Sequence, residues 1–269
     1  MKAVITIASL SRAGKSTIAA CLAAEFALRG HNTLLVDCDP RADATAHFMP
    51  PEKIHSSLAD ALIGLPDRAG GITGETFPLG GVVSPTVVER LGIVPGHIRF
   101  ARFERVAPTA ILRLKAEVED LADSFDYALI DTPPSLGLIL SACLIASSHV
   151  LVPVTGSHDT PVGLDCLTEM IEEVHRSHPR LEALALAVDL VEPGTHLRTL
   201  RRQTERQLRA MFKTVITRRD EIAACRASHL PVQLYAPGSA GAALFARLAD
   251  EVMCAVNQSS LVPVLRSEL

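Results

Sequence analysis

Apolar and polar positions fall in alternating blocks along this chain: short continuous aliphatic runs, then longer stretches with helical spacing. The aliphatic runs Ala3–Ala8, Thr33–Asp37, Leu91–Val94, Tyr127–Asp131, His149–Val154 and Leu184–Val191 predict strands, with Val215-Ile216 a shorter one. Between them, Lys15–Arg29, Ser56–Ile63, Pro108–Asp123, Leu136–Ser147, Pro161–Arg176, Leu197–Phe212 and Ser239–Val256 predict helices. Gly30 sits where a helix C-terminus wants a left-handed residue, and Pro108 where a first turn tolerates proline. Residues 64–86 are rich in Gly and Pro and read as a surface excursion. The strand runs do not alternate, so both of their faces must be buried. With helices between them this is an α/β fold: a single doubly wound, mostly parallel sheet with helices on both faces. No repeat, low-complexity segment or linker divides the chain. It reads as one domain over residues 1–258 with a tail at 259–269.

Composition narrows the picture. Hydrophobic residues make up 48% of the 269 residues, but aromatics only 4%, so the core must be aliphatic and alanine-rich. The net charge of −4 gives the whole molecule no cationic bias, and any nucleic-acid surface must be a local patch. The six cysteines are scattered without a C-x-x-C pair, which argues against a zinc ribbon, and most sit in apolar surroundings and read as small core residues in a reducing compartment. The ten histidines show no ligand spacing, and His149 reads as a strand-end residue. The opening MKAVITIASL has too short an apolar stretch for a secretory leader, and the tail around Pro263 lacks a basic amphipathic face. No apolar run reaches the roughly 18 residues of a membrane span. The expected location is cytoplasmic.

The most specific chemistry lies at Ile5–Thr17, ITIASLSRAGKST. A strand, a small-residue loop, Gly-Lys-Ser and a long helix follow one another, as in loops that hold nucleotide phosphates. Backbone N–H groups and the helix start offer positive partial charge. The candidate contacts are Ser11, Arg12, Ala13, Gly14, Lys15, Ser16 and Thr17. Lys15 would reach the β- and γ-phosphates, Ser16 would ligate Mg²⁺, and Thr17 would bond the α-phosphate. The pattern G-x-x-x-x-G-K-[ST] is imperfect, because Ser9 stands at the first glycine. Two other strands end in acids, Asp37-Cys38-Asp39-Pro40 and Asp131-Thr132-Pro133-Pro134. Phosphoryl transfer needs carboxylates for Mg²⁺ and for the attacking water, so Asp131 is assigned to the metal and Asp39 to water activation, with Asp37 in support. The alternative is that strand-end aspartates cap the next turn.

These pieces together resemble the ParA/MinD family of deviant P-loop ATPases over most of the chain. The resemblance is carried by SLSRAGKST, DCDPRADAT, IDTPPSLG, LVPVTGS with the following Gly163-Leu164, and LPVQLYAPGSAGAALFARLADEV. It is nearest to the partition branch. It implies a P-loop NTPase fold, ATP with Mg²⁺, a face-to-face dimer on ATP binding and non-specific DNA binding. It also implies slow hydrolysis stimulated by a ParB-like or adaptor partner, and the positioning of a plasmid, chromosome region or protein compartment on the nucleoid. Gly14 to Thr17 match the phosphate contacts, Asp39 the water-activating carboxylate and Asp131 the switch-II carboxylate. Where the family loop reads K-G-G-x-G-K-[ST], this chain has Leu10, Ser11 and Arg12, so the signature lysine is missing and Arg12 becomes the candidate to reach across the dimer. Arg41 replaces the family's Gln after Asp-Pro.

A local arginine excess between Arg198 and Arg226 offers a DNA surface. Arg198, Arg202, Arg206 and Arg209 fall at helical steps, and Arg218 and Arg219 lie nearest the family's DNA-contacting region. The other reading is an ordinary solvated face. Competing functions on the same scaffold are a cofactor-assembly or metabolic enzyme, or a weakly hydrolysing nucleotide-binding interaction module.

Overall fold

In the computed structural model, the described residues are 1–11, 13–65, 75–105, 110–155, 161–189, 208 and 211–259. Among them eight strands form one sheet: β1 (Ala3–Ile7), β2 (Thr33–Asp37), β3 (Ser84–Pro85), β4 (Leu91–Val94), β5 (Tyr127–Asp131), β6 (His149–Thr155), β7 (Glu182–Asp189) and β8 (Met211–Thr217). Their order is β3-β4-β2-β5-β1-β6-β7-β8. Every pairing is parallel except β3 with β4. The helices are α1 (Lys15–Leu28), α2 (Leu58–Leu62), α3 (Ile111–Glu119), α4 (Leu138–Ala146), α5 (Pro161–Ser177), α6 (Asp220–Ala224), α7 (Val232–Tyr235) and α8 (Ala240–Ser259).

The absence of alternation has the expected cause. Leu35 and Leu129 pack with α1 and α8 on one side of the sheet, while Leu34, Val36, Ala128 and Ile130 pack with α2, α3 and α4 on the other. Helix α1 is buried nearly all round, because it lies between the sheet and α8. Its run of Ala19, Ala20, Ala23 and Ala24 lets both neighbours approach. In the sheet centre β1 joins β5 to β6, and the register aligns Ile7 with Asp131 and Asp37 with Asp131. From β1 the chain crosses to β2 on one side and from β5 it crosses to β6 on the other, the strand-order reversal that places a crevice at the carboxyl ends of β1, β2 and β5.

Two expectations are corrected. Phe212 does not close a helix: Met211 and Phe212 begin β8, which alternates inward Phe212, Thr214 and Ile216 with the outward Lys213. Most of the expected helix Leu197–Phe212, including Arg198, Arg202, Arg206 and Arg209, lies outside the described residues. The excursion at 64–86 is not all surface. Leu79 and Val82 are buried beside α2 and α3, and Ser84–Pro85 adds the antiparallel edge. Most cysteines are core residues, as expected: Cys21, Cys38, Cys143 and Cys225 are buried, Cys166 is half-buried and Cys254 is exposed. No helix among the described residues is long and apolar enough to cross a membrane.

Candidate functional site

The loop between β1 and α1 is a compact turn held by its own serines. The Ser11 N–H donates to Ser9 Oγ (3.2 Å), and the two hydroxyl oxygens lie 3.0 Å apart. Gly14, the N-cap of α1, has φ +74°, a left-handed conformation that glycine enters without strain. It supplies no capping side chain, and the first turn of α1 carries no acid. An anion therefore meets backbone donors and a helix dipole with nothing competing. Lys15 is buried with the loop, and its Nζ donates to the Ser11 carbonyl at 3.0 Å. Arg12 lies outside the described residues.

The acids at the strand ends separate into two kinds. Asp37 is fully buried and spent on the following loop. Its Oδ2 accepts from the Thr45 N–H and hydroxyl, both at 2.7 Å, and its Oδ1 accepts from the Asp39 N–H at 3.1 Å. At Asp37 the turn-capping reading is therefore the observed one. Asp131 is equally buried, yet neither of its carboxylate oxygens has a hydrogen-bond partner. A buried carboxylate without partners calls for a cation or a proton. Burial first and the Asp37 charge second push its pKa well above the ordinary range, while the Ser16 hydroxyl and the Lys15 ammonium pull the other way. Asp37 is pushed up to about 7, chiefly by burial, against the Thr45 hydrogen bonds. Asp39, 4% exposed, accepts from the Arg41 N–H at 2.9 Å. Ser16 and Asp131 offer the hydroxyl and carboxylate oxygens that would suit a magnesium ion, and the Lys15 ammonium beside them would suit phosphate.

Gly96 completes this corner, and its place just after β4 gave no chemical signal. Its N–H donates to Thr45 Oγ1 at 2.9 Å, and a Cβ there would stand 2.8 Å from Asp37 Cγ and 3.0 Å from the Asp39 carbonyl oxygen. Thr45 itself was legible as the later Thr of DCDPRADAT.

Beside the loop lies an apolar cavity of about 360 Å³. Ala13, Gly14, Thr17 and Ile18 form its phosphate-loop side; Val188, Ile216 and Phe245 form its floor; Thr217, Arg218, Arg219, Ile222 and Ala223 close the rim. Its size and lining suit a flat heterocycle attached to what the loop holds. Arg218 and Arg219 are exposed at this rim, with Arg219 Nε donating to Thr217 Oγ1 at 3.3 Å. Arg226, from the same basic stretch, is instead paired with Asp43 at 2.6 Å, and Arg41 meets the same carboxylate at 3.0 Å.

The loop after β2 also carries a feature that the residue spacings did not reveal. His47, fully buried, places Nε2 3.3 Å from Thr17 Oγ1 and Nδ1 3.8 Å from Cys225 Sγ. Cys21 lies in the same group. A hydrogen bond from Cys21 pulls the Cys225 thiol down to about 5, helped by His47 and opposed by burial, and burial pushes the Cys21 thiol up.

A protein-family profile described as an AAA domain matches residues 3–183. The chain is 34% identical over 260 residues to the chromosome-partitioning ATPase Soj of Thermus thermophilus, covering 91% of this chain and 93% of that one. It is 31% identical over 254 residues to the sporulation initiation inhibitor protein Soj of Bacillus subtilis, at 89% and 93% coverage. The chain belongs to the ParA/MinD-type ATPases. Solved structures give the same fold for this family member. Cobyrinic acid a,c-diamide synthase from Mycobacterium smegmatis, with bound ADP and magnesium, superposes with a TM-score of 0.75 at 23% identity and 94% coverage of each chain. MinD from Pyrococcus horikoshii, complexed with Mg-ADP, gives 0.73 at 20% identity, covering 96% of this ParA/MinD-type chain and 99% of its own.

Proposed function

We propose that this chain is an ATP-driven positioning switch of the partition type. ATP and Mg²⁺ bind at the β1–α1 loop, two copies close face to face, and slow hydrolysis stimulated by a ParB-like or adaptor protein resets the cycle. The dimer holds DNA without sequence preference, which keeps the protein on the nucleoid in the cytoplasm, and repeated cycles move a plasmid, a chromosome region or a protein compartment. The Soj relatives support the partition reading. The observation that carries the chemistry is the buried, unpartnered Asp131 carboxylate beside Ser16 and Lys15.

Ser16 and Asp131 would hold the magnesium ion, which when bound offsets the charge developing on the transferred phosphoryl group. Gly14 and the α1 N-terminus orient the phosphates through backbone donors. Lys15, now donating to the Ser11 carbonyl, exchanges that partner for phosphate oxygens. Asp39 orients the attacking water and takes its proton. The apolar cavity at Thr17, Ile18 and Phe245 takes the base. Leu10, Ser11 and Arg12 depart from the family loop, and in this reading Arg12 supplies the charge that crosses to the partner's phosphates.

ATP turnover with and without DNA tests the function. Slow turnover raised by DNA or by a partner supports it; turnover that depends on a small carboxylic-acid substrate and ignores DNA points to a ligase. Lys15→Ala is expected to lower kcat at least ~100-fold, the effect of removing one charge-stabilising donor, and wild-type turnover by that variant would end the assignment. Arg12→Ala is expected to abolish ATP-dependent dimerisation in analytical ultracentrifugation, and an unchanged dimer would remove Arg12 from the role.

A further inference from the structure

We propose that Cys21, His47 and Cys225 form a binding site for a thiophilic d¹⁰ cation, Zn²⁺ or Cu⁺, with both sulfurs and His47 Nδ1 as ligands. The site goes beyond the nucleotide reading and does not depend on it. Cys21 lies on α1, one turn beyond Thr17. His47 ends the 3-10 turn Thr45–His47 after β2, and Cys225 follows α6. Three segments distant in sequence thus converge, and each of the three side chains is fully buried. One ligand atom from each lies within 4.8 Å of the others, and Cys225 Sγ stands 3.8 Å from His47 Nδ1. Metal–sulfur bonds of about 2.3 Å and metal–nitrogen bonds of about 2.0 Å put neighbouring ligand atoms roughly 3.4–4.0 Å apart. The cluster therefore needs a contraction of about 1.4 Å at most. Two thiolates with one imidazole in a dry pocket select soft cations over Mg²⁺ or Ca²⁺.

The second contact of His47 fits the same arrangement. Coordination at Nδ1 leaves the proton on Nε2, which then donates to Thr17 Oγ1, now 3.3 Å away. The imidazole orientation is thereby fixed from outside the metal shell, as ligating histidines usually require. The same segments are already tied beside the cluster: Arg226 pairs with Asp43, and His229 Nδ1 lies 2.7 Å from the Ala46 carbonyl oxygen. A bound cation would add a third clamp between the loop after β2 and the residues following α6, and would anchor both to α1. On the nucleotide reading, the clamp also sets the direction of the Thr17 hydroxyl beside the phosphates.

The test uses nucleotide-free, full-length protein, reduced and stripped with EDTA under nitrogen, so that it stands apart from ATP binding. Co²⁺ serves as the spectroscopic probe, and Zn²⁺ and Cu⁺ are titrated in separate arms against chromophoric chelators. The expected result is one tight equivalent per chain, with sulfur-to-cobalt charge-transfer absorption in the near ultraviolet. Cys225→Ser and Cys21→Ser lose that equivalent, while Cys254→Ser, at an exposed cysteine, keeps it. X-ray absorption of the wild-type metal complex gives the same answer without substitution: two sulfurs and at least one nitrogen in the shell support the site. A shell without sulfur, full retention by Cys225→Ser, no tight equivalent with either metal, or a Cys21–Cys225 disulfide that forms in air while metal is refused would each overturn it.

Discussion

Two aspartates one strand apart meet opposite fates at the site. Asp37 has hydrogen-bond donors from Thr45 and Asp39, whereas Asp131 has none, and both are fully buried. Burial raises both pKa values, that of Asp37 from 3.8 to about 7 with the Asp39 charge helping, and that of Asp131 with the Asp37 charge helping. In the nucleotide-free, magnesium-free protein the folded state therefore keeps protons that the unfolded chain releases. For Asp37 stability falls as pH rises from about 4 to about 7, the reverse of a salt-bridged acid, and Asp131 contributes in the same direction. From Asp37 alone the thermal midpoint of wild type is expected to drop by roughly 5–10 °C between pH 5 and pH 8, with Asp131 acting in the same direction. Asp131→Asn removes one of the two raised carboxyls and should make the profile shallower. Calorimetry across that range checks it, and parallel wild-type and variant curves would show that the two carboxyls do not share this burden. Added Mg²⁺ should recover the loss at pH 8 in wild type only, because the cation replaces the proton.

At the scale of elements, the loop after β2 is shaped by what surrounds it. Gly96, beyond β4, leaves room for the Asp37 carboxylate and donates to Thr45. Gly96→Ala drives a methyl to 2.8 Å from Asp37 Cγ, so the loop must shift. The expected loss is about 1–3 kcal/mol in urea unfolding. Thr45→Ala, which removes a hydroxyl bonded to both Asp37 and Gly96, should cost a similar amount. The double variant should lose less than the sum, since both act on one network. Strict additivity would mean that Gly96 acts through strain elsewhere. This coupling also shows where legibility ends. Strands β1, β2, β4 and β5 were readable because continuous aliphatic runs have one physical meaning, burial on both faces. Strand β8 was mostly missed because Lys213 and Thr214 interrupt its apolar pattern, as period two demands at a half-solvated edge. The Gly-Lys-Ser turn and the strand-end acids were legible as local chemistry. Gly96, His47 and the cavity floor at Val188, Ile216 and Phe245 were not, because each matters only through a neighbour remote in sequence.

For the whole molecule, the balance of charge decides how DNA would be held. With a net charge of −4, the chain can attract phosphates only through a local cluster of arginines. Arg226 belongs to the basic stretch in sequence, but its guanidinium is held by Asp43, a carboxylate it shares with Arg41. Arg218 and Arg219 are exposed, yet they stand on the rim of the cavity beside the phosphate loop. Their replacement should therefore affect two ligands at once. The Arg218→Ala/Arg219→Ala double variant is expected to weaken nucleotide binding and also to lower the slope of log Kobs against log salt for DNA by about one per lost phosphate contact. Arg198→Ala/Arg202→Ala should lower the DNA salt slope and leave nucleotide affinity unchanged. Fluorescence anisotropy with a labelled duplex, beside titration with a fluorescent ATP analogue, separates the two. An unchanged DNA slope in both variants would place the DNA surface elsewhere. A change in nucleotide affinity alone for Arg218 and Arg219 would make them cavity residues and leave Arg198 and Arg202 as the candidates for the proposed DNA contact.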